Sequence, residues 1–213
     1  AAAARSAIMG ARGNSGVILS QLLRGIGKGV AGKKTLNNTE IGKAFQFGIL
    51  YAYRSVSKPV EGTILTVARG MAKGAYNAVR GNVSLEKVLL EAIRSGKEEL
   101  ARTPELLPAL KAAGVVDAGG QGLIVFFEGC LAGLRGQDCE VLPVTPRAKV
   151  QIQKGEPLDL EYPYCTEFIV KDADVDKQTV SKALEGMGNS MIVAVVELSL
   201  IHISEPTRHS LIS

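Results

Sequence analysis

Gly10-Ala-Arg-Gly-Asn-Ser-Gly-Val-Ile-Leu-Ser20 joins one helical segment, ending near Met9, to a second that begins near Ser15. Gly10, Gly13 and Gly16 carry no Cβ, so the chain can turn sharply here and bring its backbone close to a ligand. Asn14 and Ser15 are strong N-cap residues and mark the start of the second helix. The positive end of that helix points into the turn, and such an end takes anions, phosphate foremost. Arg12 adds a guanidinium that can fork onto phosphate oxygens. Taken alone, the turn reads as an ordinary well-capped helix–helix connection, because glycine-rich caps are common and the spacing is not that of a Walker loop.

Working outward, apolar residues recur at helical spacing on both sides. Val17, Ile18, Leu22, Leu23, Ile26 and Val30 line one helix, which ends at Gly29 to Lys34. Asn37-Asn38-Thr39 caps the next, running from about Glu40 to Ser57 and stopped by Pro59. Glu61-Gly62-Thr63 starts a third, with Ile64, Val67, Ala68, Met71 and Ala75 on one face, and Gly81-Asn82 breaks it. Ser84 caps a helix to about Ala101. Thr103-Pro104 has the form of an N-cap followed by proline at the first helical position, opening a short helix that Gly114 closes. Asp117-Ala-Gly-Gly-Gln-Gly122 is a second glycine turn, leading into an apolar helix from Leu123 to about Leu134 that ends at Gly136. Consecutive amphipathic helices with short connections specify a mainly α, antiparallel helical bundle or barrel over residues 1–136.

The pattern changes after Gly136. Residues 137–160 hold Pro143, Pro146 and Pro157 with little periodicity and read as a linker. Residues 161–197 then read as an incomplete β-α-β unit: a strand over Tyr164–Val170, a helix over Asp174–Gly186 and a strand over Ser190–Val196. That piece is too small to bury a core alone. Residues 198–213 stand apart. Leu198-Ser-Leu-Ile-His-Ile-Ser-Glu-Pro-Thr-Arg208 back-translates into a widely used transposase sequencing adapter, so this tail reads as a scar expected to pack against nothing in a consistent way. Both histidines, His202 and His209, lie in it, which removes histidine-based acid–base or metal chemistry from residues 1–197.

Composition narrows the function classes. Hydrophobic residues make up 46% of the 213 and Trp is absent, so the core is built from aliphatic side chains. The net charge of +4 suits a phosphate-handling surface, but no Lys/Arg run is dense enough for a nucleic-acid interface. Cys130, Cys139 and Cys165 lack CxxC spacing and read as reduced thiols in a cytoplasmic protein. No stretch has the length of a membrane span or the form of a signal peptide. The first residue is Ala1, inside what should already be a helix, and an N-terminal truncation is expected.

The Gly10–Gly16 turn resembles the Gly-Ala-Arg-Gly-Asn-Ser-Gly loop of the dihydroxyacetone-kinase L-domain family, and looks most like the ATP-binding subunit of bacterial fatty acid kinase. Lys58-Pro-Val-Glu-Gly-Thr-Ile-Leu-Thr-Val-Ala68, Thr103-Pro-Glu-Leu-Leu-Pro108 and Gly114-Val-Val-Asp-Ala-Gly-Gly-Gln-Gly122 follow in the family's order. Four ordered segments are far more specific than one, and the resemblance covers roughly residues 1–197.

The resemblance implies a kinase using ATP and Mg²⁺ that phosphorylates a fatty acid carboxylate presented by a fatty-acid-binding carrier protein. Phosphorylation of dihydroxyacetone is the alternative within the enzyme class, and a non-catalytic helical binding module the alternative outside it. It leaves a homodimer open. It assigns Arg12, Gly13, Asn14, Ser15 and Gly16 to the phosphates, Glu61, Gly62 and Thr63 to the neighbourhood of the base, and Asp117, Gly119 and Gly120 to the nucleotide side of the barrel. Each keeps a plain structural alternative: Thr63 and Asp117 can simply cap helices, and Arg12 can lie on the surface. These kinases hold two magnesium ions with an acidic loop upstream of the first matching segment. No Asp or Glu precedes Glu40, so those ligands, and with them the catalytic residues, are expected to be missing from this chain.

Overall fold

A computed structural model describes residues 2–11, 13–81, 83–137, 166–170, 176–188, 190–195 and 199–204. The expectations for Arg12, Asn82, Cys139, Cys165 and residues 138–165, which take in nearly all of the linker, lie outside the described residues.

The chain is mainly helical, as its periodicity specifies. Seven helices come first: α1 (Ala2–Gly10), α2 (Gly13–Gly29), α3 (Asn38–Ser55), α4 (Ile64–Val79), α5 (Leu85–Leu106), α6 (Pro108–Ala113) and α7 (Ala118–Leu134). The starts follow local chemistry. Asn37 and Glu40 form a reciprocal capping box at α3, Thr63 caps α4, Ser84 caps α5 and Asp117 caps α7. Short connections make sequential helices neighbours, so α2 packs on α3, α3 on α4 and α4 on α5, while α7 lies across α4 and α5.

Helix α4 is the centre of the bundle: eleven of its sixteen residues are buried, including Leu65, Val67, Ala68, Met71 and Ala75. Val17 and Leu22 of α2, Val88 and Ile93 of α5, and Leu123 and Ile124 of α7 close around it. The rings of Phe45 and Phe127 meet with centroids 5.5 Å apart, tying α3 to α7. Burying each such aliphatic or aromatic side chain contributes about 1.5–3 kcal/mol. Helices α2 and α3 approach so closely that a methyl group on Gly25 would lie 2.3 Å from the Phe47 carbonyl oxygen.

Several expected boundaries move; α7 starts at Ala118 rather than Leu123, so the glycines after Asp117 form its first turn instead of a loop before it. Helix α2 starts at Gly13, so Asn14 and Ser15 lie inside its first turn rather than capping it. Only Ala11 and residue 12 separate it from α1. The Thr103-Pro104 break is also absent, because α5 runs through Pro104 to Leu106. Proline removes the N–H that would bond the carbonyl four residues back, here that of Leu100. The Thr103 hydroxyl donates to that carbonyl instead, at 2.7 Å, and the helix continues. Pro108, not Pro104, opens α6 at its first turn.

After the helices come β1 (Thr166–Val170), α8 (Lys177–Ala183), β2 (Ser190–Val195) and β3 (Ser199–Ser204). The expected strand–helix–strand order is present, but β1 and β2 are not neighbours. The sheet order is β1-β3-β2, and β3 is antiparallel to both. The expectation that residues 198–213 pack against nothing is therefore not met over Ser199–Ser204. Leu200, Ile201 and Ile203 are apolar and two of them are β-branched, and the unpaired groups of a strand edge accept a segment of that character.

Candidate functional site

The N-termini of α2, α4 and α7 meet at one place. A methyl group on Gly119 would lie 3.0 Å from Ser15 Oγ, 3.3 Å from Asp117 Oδ2 and 3.4 Å from Ile64 Cβ. The first turn of α2, the first residue of α4 and the first turn of α7 are thus within one side chain of each other. The two glycine-rich segments, far apart in sequence, lie side by side at the same end of the bundle. Each helix start contributes a partial positive charge and first-turn N–H groups with no carbonyl partner inside the helix.

Asp117 is the hub of this arrangement and is 6% exposed. Its Oδ2 accepts from Gly120 N at 2.7 Å, capping α7, and its carboxylate also accepts from the backbone N–H of Ile64 at the start of α4. Its own N–H donates to Thr103 Oγ1 at 3.1 Å, which ties the α6–α7 connection to the proline turn of α5. Burial pushes the Asp117 pKa above its ordinary value, and the two backbone N–H groups hold that rise back. Gly120 is required where it stands, because a methyl group there would lie 2.6 Å from Val67 Cγ2.

Ser15, Asn14 and Gly16 of the first turn of α2 are half-buried, and Ser15 is brought against Gly119 and Asp117. Gly13 opens the helix at a positive φ of 66°. The Glu61-Gly62-Thr63 segment precedes α4, and its polar groups bond one another. Arg69 grips Glu61 with both terminal nitrogens, at 2.6 and 2.7 Å. Thr66 Oγ1 donates to Glu61 at 2.6 Å and accepts from Gly62 N at 2.9 Å. Thr63 Oγ1 donates to Val60 O at 2.8 Å and caps α4 through Leu65 N. Glu61 is consequently held below the ordinary carboxylate range, first by Arg69, against some opposition from burial. Thr66 and Arg69 carry no local sequence signal for these roles, and Thr103 reads in the sequence as an N-cap rather than as the partner of the Leu100 carbonyl and the Asp117 N–H. Only the proline after Thr103 hinted at a hydroxyl needed to satisfy a carbonyl.

The donor set, three helix N-termini and a serine hydroxyl, suits an anion such as phosphate. It does not fit Mg²⁺. Among the described residues no group of three or more His, Cys, Asp or Glu side chains comes together, and the two carboxylates near the site are engaged, Asp117 by backbone N–H groups and Glu61 by Arg69. Among the described residues, no helix is long and apolar enough to cross a membrane.

A helical domain whose helix starts converge on one point is the class this geometry defines. Residues 1–132 match the DAK2 domain, and residues 161–204 match the FakA-like middle domain, a domain of the fatty acid kinase type. The chain belongs to the DAK2-domain family. It is 39% identical over 218 aligned residues to protein YloV of Bacillus subtilis, an alignment covering 95% of this chain and 39% of YloV. It is 40% identical over 197 residues to an uncharacterized protein of Staphylococcus haemolyticus, covering 87% of this chain and 36% of that protein. A protein of Staphylococcus epidermidis is 39% identical over 197 residues, with the same shares covered. The chain thus spans less than two fifths of the length of these relatives.

Proposed function

We propose that this chain is the nucleotide-binding part of an ATP-dependent kinase that phosphorylates a fatty acid carboxylate presented by a fatty-acid-binding carrier protein in the cytoplasm. The convergence of the α2, α4 and α7 N-termini at Ser15, Ile64 and Gly119, within a DAK2 domain, carries this reading. The first turn of α2, with Arg12, Gly13, Asn14, Ser15 and Gly16, receives the β- and γ-phosphates, and Asp117 faces the ribose hydroxyls across Gly119 and Gly120. Thr63, with Glu61 and Gly62, fixes the start of α4 beside the base. The match of residues 161–204 to a middle domain of fatty acid kinase type supports an acyl substrate over a triose. Phosphoryl transfer of this kind is positioning plus charge stabilisation and requires no covalent enzyme intermediate.

The magnesium ligands are assigned to parts of the relatives that this chain does not span. The chain alone is expected to bind ATP weakly and with no dependence on Mg²⁺. One helix dipole offers only ~0.3–1 kcal/mol, too little to stand in for two divalent ions. A full-length relative is expected to bind ATP with magnesium dependence and to form acyl phosphate. In that protein the Ser15→Ala change weakens ATP by ~1.5–3 kcal/mol, the value of a charge-assisted hydrogen bond. Calorimetric titration of both proteins, with and without Mg²⁺, is the test. Tight magnesium-dependent binding by the chain alone would overturn the assignment of the metal ligands.

A further inference from the structure

The connection between α3 and α4, residues 56–63, is held at both ends by different parts of the molecule. At its upstream end it is joined to the strand–helix unit. Val56 forms an antiparallel bridge with Ile192 on the edge of β2 that β3 leaves open. Ser57 N and Ser57 Oγ both donate to Met191 O, at 3.1 and 2.8 Å. Lys177 Nζ at the start of α8 donates to Arg54 O. Ile192 is 1% exposed and belongs to the same apolar core as the helices.

At its downstream end the connection sets the start of α4. The Glu61–Arg69 pair, Thr66 and the Thr63 cap hold it, and Tyr53 OH, reaching from α3, donates to Glu61 at 3.4 Å. Gly62 adopts a φ of 82°, and a methyl group there would lie 2.9 Å from Leu107 Cβ and 3.1 Å from Leu106 Cβ, so this turn packs closely against the end of α5. Pro59 stiffens the span between the two ends. The next residue, Ile64, gives its N–H to Asp117.

We propose that residues 56–63 act as a strap that couples docking of the β2 edge to the geometry of the α4 N-terminus. Binding at the helix starts and seating of the strand–helix unit are thereby thermodynamically linked; the ligand half of this statement rests on the nucleotide reading above. The two states differ in named contacts. Docked, Val56 and Ser57 are held on β2, and the strap presents Thr63 and Ile64 in one position. Undocked, the Ser57 donors turn to water and the upstream end of the strap is released. A ligand that prefers the docked arrangement must tighten docking by the same factor that docking tightens the ligand.

Ser57→Pro removes the Ser57 N–H and hydroxyl together, and the extended backbone of Val56, with φ −92° and ψ 130°, suits the residue before a proline. Ser57→Ala, which removes only the hydroxyl, serves as the milder variant. Hydrogen exchange on the ligand-free full chain is read first. The amides of Ile64 and Leu65 are expected to exchange faster in Ser57→Pro, less so in Ser57→Ala, while the C-terminal half of α4 is unchanged. Unchanged exchange at Ile64 and Leu65 would overturn the strap. ADP is then titrated. About tenfold weaker binding by Ser57→Pro is expected, within the usual range of such couplings, together with slower exchange of the Ser57 amide in wild type on ADP addition. Equal ADP affinity in wild type and Ser57→Pro would overturn the linkage. Loosening of α4 with no ADP binding by either protein would uphold the strap and defeat the nucleotide reading instead.

Discussion

At the residue scale Asp117 carries the most consequence. It ends one connection, starts α7 and holds the first N–H of α4, all from a buried position. Asp117→Ala is expected to destabilise the chain by ~0.5–2 kcal/mol, the value of an N-cap, measured by urea unfolding. Its pH behaviour follows from burial. A folded pKa above the unfolded value of 3.8 means that the folded state keeps the proton longer. The contribution of this group to stability is therefore fully present below pH 3.8 and is lost as pH rises through the folded value. Asp117→Asn, which cannot titrate, is expected to remove that decline, and urea midpoints on either side of the window measure it. Glu61 has the opposite sign: its pKa is lowered by Arg69, so its contribution is present above 4.5 and lost as pH falls through the folded value. The sequence showed Asp117 as a cap before a glycine turn, because Asp-Ala-Gly-Gly is a local signal. That the same carboxylate reaches Ile64 was illegible, since it depends on the packing of two helix starts 53 residues apart.

At the element scale, the helices were legible wherever apolar spacing and a cap agreed, as at Asn37 to Glu40 and at Ser84. Thr103-Pro104 reads as a boundary in the sequence but is none in the structure, because a proline after a threonine has two solutions and only the fold chooses between them. As an N-cap, Thr103 would leave its hydroxyl for the N–H groups that follow it. Within α5 the hydroxyl donates to the Leu100 carbonyl and accepts from Asp117 N, so one side chain both repairs the proline turn and anchors α7. Thr103 is fully buried, so water cannot replace it. Thr103→Val keeps the shape and removes both bonds. It is expected to cost ~1–3 kcal/mol, the penalty for buried groups left unsatisfied, and to lower the urea midpoint with little change in slope. A variant within a few tenths of a kcal/mol of wild type would mean that α5 and α7 are not joined there.

On the scale of the whole molecule, the helical bundle and the strand–helix unit differ in how they are held. The buried core is made by α1–α5 and α7, and from the strands it includes Ile192 of β2. The sheet depends on β3, because β1 and β2 touch only through it. Ser199–Ser204 pairs as a strand, although the coding resemblance of residues 198–208 to a sequencing adapter sets it aside in the sequence. Pairing geometry does not distinguish an ancestral strand from an accidental one, since a strand edge bonds main chain to main chain and is indifferent to how the side chains arose. The consequence for stability can still be worked out. Deleting residues 199–213 removes the middle strand, and β1 loses the partner to which all five of its residues are registered. The Val56 bridge and the Ser57 bonds to Met191 lie on the opposite edge of β2 and stay in place. The helical transition followed by far-ultraviolet dichroism is therefore expected to keep its midpoint within a degree or two, below the shift that ~1 kcal/mol produces in a chain of this size. Amide protection over Thr166–Val170 is expected to vanish in the same variant. A fall of several degrees in the helical midpoint would show that β3 supports the bundle itself, through the contacts it makes with α2.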